Sequence, residues 1–113
     1  MDYKIVNLKE NAPSVDEAIA NFKIELEICK KEGVKVIKFV HGYGSHGVGG
    51  VICMNIRKLC LSLKKQKVIK DFLLGNEWDI SCEKCFNILT NLKDCYNDED
   101  LNHQNPGITI VVL

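Results

Sequence analysis

Val34-Lys35-Val36-Ile37-Lys38-Phe39-Val40 runs directly into His41-Gly42-Tyr43-Gly44-Ser45-His46-Gly47-Val48-Gly49-Gly50. The first seven residues are apolar and mostly β-branched, interrupted by Lys35 and Lys38. Such a run suits a central strand buried on both faces. The next ten hold five glycines, two histidines and a serine, more than half of the chain's eight glycines. Glycine costs conformational entropy, so a cluster marks backbone that turns tightly or approaches a ligand. Beyond it, Ile52, Ile56, Leu59 and Leu63 form the apolar seam of a helix ending near Gln66. A loop between a strand and a helix N-terminus gathers free N–H donors at the positive end of a dipole, a seat for phosphate.

Upstream, residues 3–8 read as a short strand, turned by Asn11-Ala12-Pro13. Ser14 and Glu17 have the spacing of a capping box. Val15, Ile19, Phe22, Leu26 and Cys29 follow on one helical face, widened by Ala18 and Ile28, with Gly33 as the stop. Downstream, residues 68–74 read as a third strand closed by Gly75-Asn76. Ser81 is the expected cap of a third helix with seam Cys82, Cys85, Phe86, Leu89 and Leu92. Residues 98–105 read as a polar loop and 107–113 as a final strand. The order β-α-β-α-β-(α)-β predicts an α/β two-layer sandwich, a mixed sheet with helices packed on it. One domain, 1–113, is expected, with the third helix as an insertion at about 79–103.

The chain has 113 residues, 46% hydrophobic and 27% charged. No apolar run approaches the roughly 20 residues of a membrane span. The start, Met1-Asp2-Tyr3-Lys4, has no signal-peptide character. A cytoplasmic monomer with six reduced cysteines is therefore expected, with no membrane partner. The formal net charge is zero. Between residues 57 and 70, however, stand six basic residues and no acidic one, and Asp94, Asp98, Glu99 and Asp100 follow later. A solvated helix face beside a charged loop explains this, and so does a footprint for a polyanion.

His41 stands at the carboxyl end of its strand, where ligands gather in open α/β sheets. An imidazole there can contact phosphate, move a proton or bond the backbone locally. No Gly-Lys-Ser/Thr follows, so the loop is not a Walker loop, and no acidic residue is placed for a ribose.

His41-Gly42-Tyr43-Gly44-Ser45 before a glycine-rich helix start resembles the His-Gly-x-Gly motif of the Smr (small MutS-related) domain. Asn105-Pro106-Gly107-Ile108-Thr109-Ile110-Val111 resembles that family's closing Gly-x-Thr strand, and the order of elements matches from about residue 3 to residue 113. The resemblance implies a sandwich similar to the C-terminal domain of bacterial translation initiation factor three. It also implies that DNA or RNA, structured or single-stranded, is bound at the loop face. Some Smr domains cut nucleic acid and others only bind it. The implied site comprises His41, Gly42, Tyr43, Gly44, Ser45, His46 and Gly47, with charge from Lys9, Arg57 and Lys58.

Three departures stand out. The family's Leu-Asp-x-His at the end of the first strand is here Val6-Asn7-Leu8-Lys9. An amide is no general base and a weak hard-cation ligand. Lysine keeps the charge but shuttles protons poorly at its ordinary pKa. His46 lengthens the loop, and Cys53 stands where a basic residue is common, with Arg57 and Lys58 one turn later. The leading expectation is thus a binding module with weak or absent endonuclease activity. The alternative is an endonuclease or phosphodiesterase using His41 as catalytic group with a carboxylate such as Asp71 or Asp79, and a divalent cation. A third is a protein-interaction domain. Cys82, Cys85, Cys95 and His103 contain one Cys-x-x-Cys, too loose a set for zinc to be preferred over core packing. No other metal or cofactor is expected.

Overall fold

In a computed structural model that describes residues 2–43 and 48–113, the apolar run becomes β2 (Val36–Val40), one of two interior strands. On one side lies β1 (Tyr3–Asn7), parallel, with Asn7 opposite Val40. On the other lies the antiparallel β4 (Ile108–Val112), with Val40 opposite Ile108. β3 (Asp71–Leu74) closes the order β1-β2-β4-β3, Leu74 facing Thr109 and Asp71 facing Val112. The sheet is mixed, as the alternation of elements predicts.

Side chains alternate across the strands. Ile37, Phe39, Val111 and Val6 point to one face, where α1 (Val15–Glu32) and α2 (Val48–Lys65) pack through Phe22, Leu26, Cys29, Ile52, Ile56 and Cys60. The Phe22 ring meets Phe39 edge-on at 4.5 Å. Val36, Leu73, Ile108 and Ile110 point to the other face. That face is covered too, by Trp78, by Cys85 and Leu89 of α3 (Glu83–Asn91), and by Leu92, Cys95 and Leu101. Short 3₁₀ turns at Gly75–Glu77 and Lys93–Asn97 flank α3. The sandwich of helices and sheet is therefore supplemented by a second, smaller cover, and this is why β2 and β4 are apolar on both sides.

The Ser14–Glu17 capping box forms in both directions, and Gly33 closes α1 in the left-handed conformation. Other expectations shift. Ile28 and Phe86 face solvent, outside the buried seams. Ser81 does not cap α3: its hydroxyl donates to Asp79, and Cys82 takes the cap position. The third strand begins only at Asp71, because the Val68 and Ile69 amides bond to the Leu63 carbonyl and finish the helix. α2 begins at Val48, so Gly49 and Gly50 belong to its first turn rather than to the loop. Residues 98–105 contain no helix or strand but fold inward, with Leu101 in the core and the Asp98 side chain fully buried.

Candidate functional site

The parallel pairing of β1 and β2 brings their carboxyl ends together, and with them the two sequence segments singled out above. Asn7 accepts the Lys9 amide at 3.0 Å and tightens the turn out of β1. The exposed Lys9 side chain then lies over Gly42, its Cδ 3.8 Å from where a Cβ would stand. Gly42 itself has φ +77 and requires glycine.

His41 is 1% exposed. Its Nδ1 lies 2.8 Å from the Gly42 carbonyl, and its Nε2 lies 2.8 Å from Thr109 Oγ1. A carbonyl only accepts, so Nδ1 carries the proton and the Thr109 hydroxyl donates to Nε2. The backbone is locked as well, since the His41 and Gly42 amides both donate to the Gly107 carbonyl, at 2.9 and 3.0 Å. A Cβ on Gly107 would stand 3.2 Å from the Gly42 Cα, a tight contact, so a side chain there would press on the Gly42 backbone. Burial pushes the His41 pKa below the ordinary histidine value; the bond to Gly42 opposes this and the charge of Arg57 adds to it. The ring is thus neutral near pH 7, with both nitrogens engaged inside the protein.

Support for this platform extends inward. Asn105 accepts the Gly107 amide at 2.8 Å and donates to Asp100 at 2.9 Å. Asp100 in turn accepts from Lys38, which is buried and also pairs with Asp98 at 2.8 Å. Tyr3 and Trp78 donate to Asp98 as well, at 2.7 and 3.0 Å. A hydrogen-bonded chain therefore runs from the middle of β2 to the backbone beneath His41. Sequence reasoning missed it, although a lysine inside a β-branched run was its visible mark.

The Cys53 thiol points inward to the Pro106 carbonyl. Burial raises its pKa, with the Arg57 charge opposing, so it is not an activated nucleophile. The charge of Arg57, one turn later on α2, acts on both Cys53 and His41. Its Nε is shielded from solvent with no acceptor among the described residues. Lys58 and Tyr43 are exposed. Gly44, Ser45, His46 and Gly47 lie outside the described residues.

The candidate carboxylates are elsewhere. Asp71 lies at the opposite end of the sheet, three strand steps or roughly 10 Å beyond the level of Thr109. It is held by Lys64 at 3.0 Å and Lys84 at 3.2 Å. Asp79 accepts the amide and hydroxyl of Ser81. Cys85 and Cys95 are buried in the core, Cys82 is half-buried and His103 is exposed. Among the described residues no three His, Cys, Asp or Glu side chains are grouped to hold a metal ion. A cleft of about 500 Å³ opens at the far end of the sheet, between Lys35, Lys70, Asn87 and Asn91.

The Smr domain of Thermus thermophilus MutS2 superposes on this chain with a TM-score of 0.58, covering 97% of this chain and 96% of that one at 20% identity. The chain has the Smr fold. No family model matches the chain, and neither does any curated protein. Within the Smr fold seen here, the His-Gly segment and the closing Gly-x-Thr segment are physically one unit, joined by the His41–Thr109 bond and the Gly107 carbonyl. No helix among the described residues is long and apolar enough to cross a membrane.

Proposed function

We propose that this chain is a nucleic-acid-binding domain of Smr type. It would hold phosphate at the glycine-rich segment 41–50, with Lys9, Arg57 and Lys58 supplying charge and weak or no endonuclease activity. One observation carries the reading: the exposed Lys9 side chain lies over Gly42, at the head of a stretch, residues 41–70, that contains no Asp or Glu and whose Arg57 charge is felt at His41. All fifteen carboxylates lie elsewhere in the chain, so a net charge of zero conceals a basic sector. Amides at the α2 N-terminus, together with Ser45, would complete the phosphate seat. Tyr43, 56% exposed, offers a ring for stacking.

His41 takes a different part from the one its motif invites. A general base must present a free nitrogen to the proton it removes. Here Nε2 accepts from Thr109 and Nδ1 donates to Gly42, so His41 is a positioning residue that fixes the platform. Without Asp or His at positions 7 and 9, nothing among the described residues supports a hydrolytic pair.

The test is a fluorescence-anisotropy titration of short labelled single-stranded, duplex and branched DNA and RNA at two salt concentrations. Binding that weakens with salt, and that falls roughly tenfold or more in Arg57→Glu/Lys58→Glu, is expected, since each lost phosphate contact also lowers the salt slope. Absence of binding at about 100 μM protein, the weak end of non-specific contacts, would refute the proposal.

A further inference from the structure

The outward side of α2 carries a pattern that neither the core nor the loop uses. Val51, Met54, Lys58, Leu61 and Lys65 recur at spacings of three, four, three and four. On a helix they fall within an arc of roughly 80° and extend over about 21 Å. Val51, Met54 and Leu61 are 46%, 58% and 53% exposed, while Ile52, Ile56 and Cys60 on the other side fill the core. Three large apolar side chains in a solvent-facing row are not explained by packing.

The interleaved lysines choose between occupants. A second copy of the chain meeting this row with its own would set Lys58 and Lys65 against their equivalents, and α2 contains no carboxylate to pair them. A polyanion suits them. A duplex would present phosphates only and leave Met54 and Leu61 against water. An unpaired strand presents both phosphates and exposed base faces. We propose that the outward face of α2 is a track for unpaired DNA or RNA, with bases over Val51, Met54 and Leu61 and phosphates at Lys58 and Lys65. The track starts next to the 41–50 segment and rests on the phosphate-binding reading of that segment. Lys64 takes no part, because Asp71 holds it.

The experiment uses the full chain with short fluorescein-labelled single strands, one DNA and one RNA, and a hairpin duplex. Met54→Ser/Leu61→Ser changes only exposed side chains, and thermal melting checks the fold. It is expected to weaken single-strand binding roughly fivefold and hairpin binding less than about twofold, the low end of base-contact effects. Lys58→Glu/Lys65→Glu is expected to flatten the single-strand salt slope by about 1.4, as loss of two phosphate contacts requires. Equal loss on both probes, or no loss on single strands, overturns the track. So does sedimentation showing a dimer that the double serine variant dissociates. If the wild-type chain binds neither probe, the phosphate reading falls as well. If Lys9→Glu/Arg57→Glu weakens both probes while Met54→Ser/Leu61→Ser changes nothing, only the track falls.

Discussion

His41 shows how the ring of a functional-looking residue can be held by two hydrogen bonds within the protein. Its identity and its place after a strand are plain in the sequence. Its pairing with Thr109, 68 positions later, depends on β2 and β4 becoming neighbours and on their register. The consequence is measurable. Burial, opposed by the Gly42 carbonyl bond and reinforced by Arg57, keeps the folded pKa below that of the unfolded chain. Between those values the unfolded state binds a proton that the folded state refuses. Stability from the neutral ring is therefore complete above about pH 6.5 and declines as pH falls from there toward the folded pKa. Urea unfolding of the wild-type chain should show this loss between pH 7 and 5, and His41→Gln should flatten it. Thr109→Val removes the donor to Nε2 and should cost about 1–3 kcal/mol at neutral pH, while Thr109→Ser should cost less.

Among the elements, β2 carries the clearest conflict between local pattern and final structure. The caps of α1, the main seams of α1 and α2 and the final strand were legible, because each depends on spacing along one segment. Lys38 was not. A lysine in a central strand has to find its counter-charge from another element, here Asp98 and Asp100 from the segment after α3. Burial alone would lower the Lys38 pKa, but its bonds to Asp100 and Asp98 raise it. Burial likewise works against the charge on Asp98, and the bonds from Lys38, Tyr3 and Trp78 overcome it. The Asp98 contribution is complete above the unfolded value of about 3.9 and is lost as pH drops below it; that of Lys38 is lost only above about 10.4. Lys38→Met would strand a buried carboxylate and should destabilise the chain by about 3–5 kcal/mol in urea unfolding at neutral pH. Because Asp100 also holds Asn105, which holds the Gly107 amide, the same variant should loosen the backbone under Gly42. A smaller cost, with the amide signals of Gly42 and Gly107 unchanged, would show that the network and the platform are independent.

At the scale of the whole molecule, topology accounts for what composition obscures. The chain is neutral overall, yet its cations from 57 to 70 lie on or just after α2, while Asp98 and Asp100 turn inward on the opposite face of the sheet. The alternating order of elements foretold a mixed sheet with helices. It could not foretell that residues 75–105 would cover the second face, since the segment's polar appearance hides Trp78, Cys95 and Leu101. The candidate site was legible as two separated motifs, and the parallel β1–β2 pairing is what joins them. The fold also offers a rival location, the cleft near Lys35, Lys70, Asn87 and Asn91, at the far end of the sheet. Mapping backbone amide shifts while titrating a short oligonucleotide separates the two. Shifts concentrated at Lys9, Gly42, Tyr43 and the first three turns of α2, through Lys58, are expected if phosphate is held at the 41–50 segment. Shifts confined to Lys35, Lys70, Asn87 and Asn91, with Gly42 and α2 unmoved, would contradict it.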